Sequence, residues 1–319
     1  MSASREAGAA IRHPTLADYL HLAGLSLLWG SSFLAIKLAL DHGVPPLTVA
    51  TVRVGLGAGL LLAIARLRRQ SWPRLRGGAD LRLWGRLLFL GVVGNSLPFF
   101  LISAGEQTTT SQLAGILMAI IPMLVVILAH FFTHDERLTF LKIAGVALGF
   151  AGVVVLVGVD YLKGLGAQVL GQGLIIGGCI SYSVYGVTAR HLPRLAPDLL
   201  IGVILFAGFV PALPFWLAMD RPWAIDWQWQ GVAAVCWLGL VATGCGNLFY
   251  FMLLRRTGAG FASNNNYLVP PLALVWGYLI LGEQPHLNAL AALVLILVGL
   301  AVQRMGVRPP AASTPVIPD

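Results

Sequence analysis

Read as a pattern of apolar and polar positions, the chain is a series of long apolar runs parted by short polar gaps. Ten runs approach the roughly 20 residues a helix needs to cross a bilayer. They fall at 19–40, 47–65, 83–104, 112–132, 138–158, 168–190, 197–218, 230–254, 260–281 and 287–303. The runs are rich in Leu, Ala, Val and Gly and show no alternation of period two. The pattern therefore predicts helices and argues against a β-barrel. The longest gap, Arg66–Arg82, is too short for a soluble domain. The expectation is an all-α membrane protein of ten transmembrane helices. Residues 1–17 form an N-terminal segment and 307–319 a tail. The tail carries Pro309, Pro310, Pro315 and Pro318, a composition expected to be disordered. The first run is too long for a signal peptide and lacks a cleavage site, so it reads as a retained helix.

Composition narrows the class. Hydrophobic residues make up 57% of the 319 residues and charged residues 11%. A soluble domain carries about 25% charge, so a water-soluble globule is excluded. Disorder of the whole chain is excluded for the opposite reason, too much apolar content. The formal net charge of +8 does not point to nucleic acid, because the Lys and Arg sit in the gaps between runs. With the N-terminus placed in the cytoplasm, 17 of the 21 fall in cytoplasmic segments. The largest group is Arg66, Arg68, Arg69, Arg74, Arg76, Arg82 and Arg86; the opposite side holds Lys163 and Arg221. That bias predicts a multi-pass protein of the cytoplasmic (inner) membrane with both termini cytoplasmic. Cys179, Cys236 and Cys245 lie in apolar runs at spacings that fit neither a disulfide framework nor a zinc site. No HExxH, GxSxG or P-loop is present, so no enzyme, cofactor or metal is expected.

The second half of the chain echoes the first. Gly91–Pro122 aligns without gaps on Gly239–Pro270, matching Gly91 with Gly239, Val93 with Val241, Thr109 with Thr257 and Pro122 with Pro270. Earlier, Trp29 meets Tyr182, Ser32 meets Tyr185 and Lys37 meets Arg190. The predicted units are a first repeat at 18–158 and a second at 168–303. Five spans per unit is an odd number, so the two units lie in the membrane with opposite orientation. Inverted repeats of this kind suit alternating access.

The motifs resemble the drug/metabolite transporter superfamily, in its ten-helix EamA-type branch. The first helix reads Leu28-Trp29-Gly30-Ser31-Ser32-Phe33 with Lys37 following, and Arg53 stands in the second. Thr110-Ser111-Gln112-Leu113-Ala114 through Pro122, then Glu136-Arg137-Leu138-Thr139 and Gly149-Phe150-Ala151-Gly152, are similar to the signature of the first EamA repeat. Pro270, Gly282-Glu283 and Gly299 mark the second. The run Asn264-Asn265-Asn266 departs from the pattern, where apolar or small residues are more usual. The resemblance covers about residues 18–303. It implies a transporter, commonly an exporter of amino acids, metabolites or drugs.

Polar side chains inside a bilayer cost free energy unless they pair or face a cavity. Trp29 and Ser32 share a face of the first helix, and their mates Tyr182 and Tyr185 share a face of the sixth. Thr243, Asn247 and Tyr250 follow i, i+4, i+7 on the eighth, with Asn95, Phe99 and Ile102 as mates on the third. Together they predict a cavity of aromatics and a few hydrogen-bonding groups, fit for a small amphipathic solute. Helix–helix glue is the rival reading of the same residues. Of the three consecutive Asn, Asn265 is taken as the one facing the cavity. Pro122 and Pro270 are expected to break or gate matching helices. Lys37, Arg53 and Glu106 are expected to form an outer charge cluster, with Asp41 as a further partner for Arg53. Glu136 and Glu283 read as partners of helix N-termini. No carboxylate lies near the middle of a run, so obligatory proton coupling is not expected. The leading function is a secondary transporter of small metabolites, such as amino acids, amines or related amphipathic compounds, and an exporter in direction. The alternative is an uncoupled pore. The partners implied are a small-molecule substrate and the lipid bilayer, not nucleic acid. A monomer can work alone, and a homodimer stays open.

Overall fold

The computed structural model describes residues 14–70, 78–132, 139–162, 166–189 and 196–305. Most of the N-terminal segment, the proline-rich tail and the expected roles of Glu136 and Arg190 lie outside the described residues, as do Arg74, Arg76 and Lys163. Among the described residues the regular elements are helices and none is a strand. They run in the order α1 (Leu16–Asp41), α2 (Pro46–Leu67), α3 (Gly78–Gly91), α4 (Leu97–Glu106), α5 (Ser111–Met118), α6 (Ile121–Phe132), α7 (Phe140–Leu162), α8 (Gly166–Thr188), α9 (Pro197–Met219), α10 (Trp229–Cys236), α11 (Gly246–Ala262), α12 (Asn265–Leu281) and α13 (Leu287–Met305). Two π-helical stretches join them: π1 (Val92–Ser96) between α3 and α4, and π2 (Trp237–Cys245) between α10 and α11.

Among the described residues, eight helical stretches are long and apolar enough to cross a membrane. Three of them are composite: Leu81–Glu106, Ser111–Phe132 and Trp229–Gly258. The shorter apolar helix Phe140–Leu156 joins them. The expected run at 260–281 is where the structure differs most. Gly258 has φ 81°, a left-handed conformation that glycine adopts without steric cost, and it ends the preceding crossing. A turn then separates Ala262 from α12, which has 17 residues.

Helix starts follow ordinary capping chemistry. Thr15 donates from its backbone N and its hydroxyl to the Asp18 carboxylate at 3.0 and 2.8 Å. Pro46 and Pro197 open α2 and α9, where a missing N–H costs nothing. Gly282 closes α12 in a left-handed conformation.

The helices pack in partnered pairs: α7 with α13, α2 with α9, α1 with α12, and α8 with α5 and α6. The composite crossings lie between these, α4 against α8 and π2 with its flanking helices against α1 and α2. Close approach rests on small residues, as it must where lipid supplies no hydrophobic drive between helices. A Cβ on Gly299 would stand 2.6 Å from the Gly145 carbonyl oxygen, so α7 and α13 touch backbone to backbone.

Polar contacts clamp both ends of the bundle. At the end where α1 begins, Arg68 and Gln70 hold Asp198 at 3.1 and 2.9 Å. The buried Asp18 faces Arg256 at 3.7 Å there. At the opposite end, the backbone N and hydroxyl of Thr48 donate to Asp220 at 2.8 and 2.7 Å. Glu283 accepts from the Ser111 backbone N, the Ser111 hydroxyl and the Gln112 backbone N at 2.9, 2.9 and 3.1 Å. Its carboxylate therefore sits on the N-terminus of α5, where the helix dipole favours an anion. The expected dipole partner role thus goes to a helix distant in sequence rather than to its own.

Candidate functional site

The site grows from the places where the helical ladder fails. A π-helical turn bonds i to i−5, widens the coil and leaves backbone carbonyls seeking donors. In π1, the Ser181 hydroxyl from α8 donates to the Val93 carbonyl at 2.6 Å. In π2, the Trp29 indole from α1 donates to the Ala242 carbonyl at 3.1 Å. The first stretch lies in the first half of the chain and takes its donor from α8; the second lies in the second half and takes its donor from α1.

Nearby, two helices break. Between α5 and α6 the ladder tightens to i−3 bonds, with Ala119 N on Ile116 O at 3.1 Å and Ile120 N on Leu117 O at 3.2 Å. Pro122 follows at once; it has no N–H to give and its ring clashes with the carbonyl one turn back. Between α11 and α12 the same tightening occurs at Asn264 N on Phe261 O, 3.0 Å, and Asn266 N on Ser263 O, 3.1 Å. Here the expectation for Pro270 needs correction. Pro270 lies inside a continuous α12, and the break falls six residues before it. The Asn side chains at the break are held by other helices instead. Asn264 Oδ1 accepts from Arg304, and Asn265 Oδ1 accepts from Ser26 at 2.9 Å.

These interruptions border one cavity of about 390 Å³ at the centre of the bundle. All nine residues expected to bind solute line it: Trp29, Ser32, Asn95, Tyr182, Tyr185, Thr243, Asn247, Tyr250 and Asn265. The Trp29 and Tyr250 rings stack at 5.5 Å between centroids, and Phe99 meets Tyr182 edge-on at 6.1 Å. Asn247 Nδ2 donates to the Thr243 carbonyl at 2.7 Å, leaving its amide oxygen without a donor among the described residues. Glycine makes room for the rings. A Cβ on Gly94 would collide with Tyr185, and one on Gly246 would stand 2.6 Å from the Trp29 indole nitrogen.

The expected charge cluster is split. Lys37 pairs with Asp41 at 3.2 Å and donates to the Glu106 backbone oxygen at 3.4 Å. Glu106 itself is 0% exposed, and neither carboxylate oxygen accepts a hydrogen bond. Arg53 joins neither carboxylate. It lines the central cavity, its Nε donates to the Thr243 hydroxyl at 2.8 Å, and its guanidinium lies 3.8 Å over the Phe99 ring. The cause is helical geometry: Arg53 is seven residues into α2 and buried on the face turned to π2. Pro270 also lines the cavity, whereas Pro122, Lys37 and Glu106 do not.

Several lining residues escape a reading of the sequence. Phe33 and Ile36 continue the Trp29–Ser32 stripe by one turn, so the helical period does carry that signal. Asn266 lines the cavity beside Asn265, a result of the break, which the period does not report.

Residues 18–158 and 169–304 each match the EamA-like transporter family. An uncharacterized transporter of Archaeoglobus fulgidus is 25% identical over 286 residues, covering 89% of this chain and 97% of that one. A probable terminal-alkyne amino-acid exporter of Streptantibioticus cattleyicolor is 29% identical, with 90% and 94% covered. The uncharacterized inner membrane transporter YedA of Escherichia coli is also 29% identical, with 82% of each chain covered. One crystal structure shares the fold at a TM-score of 0.64 and 21% identity, covering 92% of this chain and 98% of that one. With both halves of its length matched and a cavity built between them, this multi-pass membrane protein belongs to the EamA-like transporter family.

Proposed function

We propose that the chain exports small amphipathic metabolites, amino acids among them, by alternating access between two inverted halves of a ten-helix bundle. The observation that carries this reading is the central cavity. Its walls come from both halves, and its borders are a π stretch and a helix break in each half. Irregular backbone at membrane depth is tolerated where it lines a cavity, and transporters use it there.

The packing pattern supports the two-fold reading. Exchanging the halves turns the α1–α12 pair into the pairing of α8 with α5 and α6. It turns the pairing of α4 with α8 into that of α11 with α1, and returns α2–α9 and α7–α13 to themselves. The name of the Streptantibioticus cattleyicolor relative supports an amino-acid substrate and the outward direction. The charge bias of the gaps supports cytoplasmic termini and a place in the cytoplasmic membrane.

Counterflow in proteoliposomes tests the reading. Purified protein reconstituted with internal unlabelled L-phenylalanine takes up external labelled L-phenylalanine transiently and saturably. Flux that rises linearly with concentration and shows no trans-stimulation identifies a pore and rejects alternating access.

A further inference from the structure

Arg53 is 7% exposed and permanently charged, yet among the described residues it forms no ion pair. Its Nε is used by Thr243 and one face of its plane by Phe99. Its two terminal nitrogens donate to nothing among the described residues and are not occluded. They open on the cavity that Arg53 lines. Among the lining residues Arg53 is the one that carries a charge; the others are aromatic, aliphatic, amide or hydroxyl. Glu106, the carboxylate within electrostatic reach, accepts no hydrogen bond and does not line the cavity.

A buried charge left without a counter-ion is expensive, and more so at membrane depth. A guanidinium fixed through Nε and one ring face presents its remaining donors as a planar fork, which fits a carboxylate with two parallel bonds. The stacking on Phe99 and the bond to Thr243 hold that fork still in advance, so little ordering remains when an anion arrives.

We infer that Arg53 is the anchor for a carboxylate on the transported solute, and that the Trp29–Tyr250 and Phe99–Tyr182 walls receive an apolar or aromatic body. This rests on the cavity being the transport site and narrows its substrates. Compounds that carry a carboxylate are accepted, with or without an ammonium group. Compounds whose sole charge is an ammonium are refused, because the cavity has no carboxylate to receive it and Arg53 repels it.

Three probes of one size separate the possibilities: L-phenylalanine, 3-phenylpropionate and phenethylamine. Each is measured by binding to the purified chain and by competition in counterflow. The wild type is expected to take the first two and to bind phenethylamine at least an order of magnitude more weakly. Arg53→Gln weakens both carboxylates on the order of 30-fold or more and leaves phenethylamine unchanged or improved. Arg53→Lys keeps the charge without the fork and lies between. The wild-type comparison needs no variant, so a poorly folding Arg53→Gln does not spoil the test. Phenethylamine binding as tightly as 3-phenylpropionate overturns the charge assignment and leaves the transport site standing. Failure of all three probes to bind or move overturns the reading of the cavity as well.

Discussion

Two regions of this molecule use glycine against a close neighbour, and they do so for opposite ends. In the α7–α13 seam, Gly145 and Gly299 bring backbone against backbone, and Gly152 continues the strip against Ala292 and Ile296. Both helices run unbroken through the described residues. Around the cavity, Gly94 and Gly246 instead leave space that Tyr185 and Trp29 occupy. Each cavity glycine lies within or directly after a π stretch that has a carbonyl accepting from a side chain, Val93 from Ser181 and Ala242 from Trp29. The seam is a place where two helices fit in one way. The cavity wall is a place where rings fill a gap that another side chain, or a solute, can also fill. Rigidity and adaptability are therefore assigned to different helices of the same bundle.

The contrast is broken most severely at the seam. Gly299→Leu or Gly145→Leu drives a side chain into backbone that has no rotamer to yield. Overpacking costs roughly 1–3 kcal/mol even where neighbours relax, and here the nearest atoms are main chain. We expect the seam variants to lose most of their folded, monodisperse fraction in detergent, measured by size exclusion and thermal melting. A melting point within a few degrees of wild type shows that the seam is not the scaffold.

Cavity substitutions should do the reverse. Trp29→Ala and Asn247→Ala remove a ring and an open amide oxygen from the wall while leaving every helix pair in place. Transport is expected to fall by about tenfold or more, with melting nearly unchanged, because each lost contact is worth on the order of 1–2 kcal/mol to a bound solute. Gly94→Ala is milder: one methyl displaces the Tyr185 ring, which can swing into the cavity. A several-fold rise in the half-saturating concentration with an intact melt is the expected result. If these three variants unfold instead, the cavity residues are helix–helix glue, the rival the sequence leaves open.

Much of this contrast is legible in the sequence, and the residues say why. The faces of α1, α8 and π2–α11 follow the helical period, so the spacing puts Trp29 with Ser32, Tyr182 with Tyr185, and Thr243 with Asn247 and Tyr250, and the fold brings the three faces to one cavity. The repeat then supplies Asn95 by its match to Thr243. What the period does not report is where a helix stops being regular. Pro270 is a strong breaker by type, yet α12 carries it, together with Pro271, in its interior. The break falls instead at Ser263 and Asn264, whose side chains bind Arg304, held from α13. Depth alone assigns Arg53 to the carboxylates at one end. Its true partners, Thr243 and Phe99, come from helices distant in sequence. Long-range pairing of this sort is set by which faces meet, and a single sequence gives the faces but not the meeting.

The smallest expected effect concerns Glu106, which belongs to neither region. It ends α4 and is wholly buried, without a hydrogen bond to its carboxylate. The charged groups around it are Lys37 and Asp41 from α1, Arg53 from α2 and Glu283 from the segment after α12. It stands apart from the cavity lining, so a proton on Glu106 would not meet a solute there. Without obligatory proton coupling, Glu106→Gln is expected to transport within about twofold of wild type, in counterflow and under an imposed pH gradient alike. The decisive measurement is accumulation against a solute gradient with the pH gradient as the sole drive. Uphill uptake in the wild type that vanishes in Glu106→Gln, while counterflow persists, makes this carboxylate the coupling site. That result would place the energetics of transport at the clamped end of the bundle, away from both the seam and the cavity.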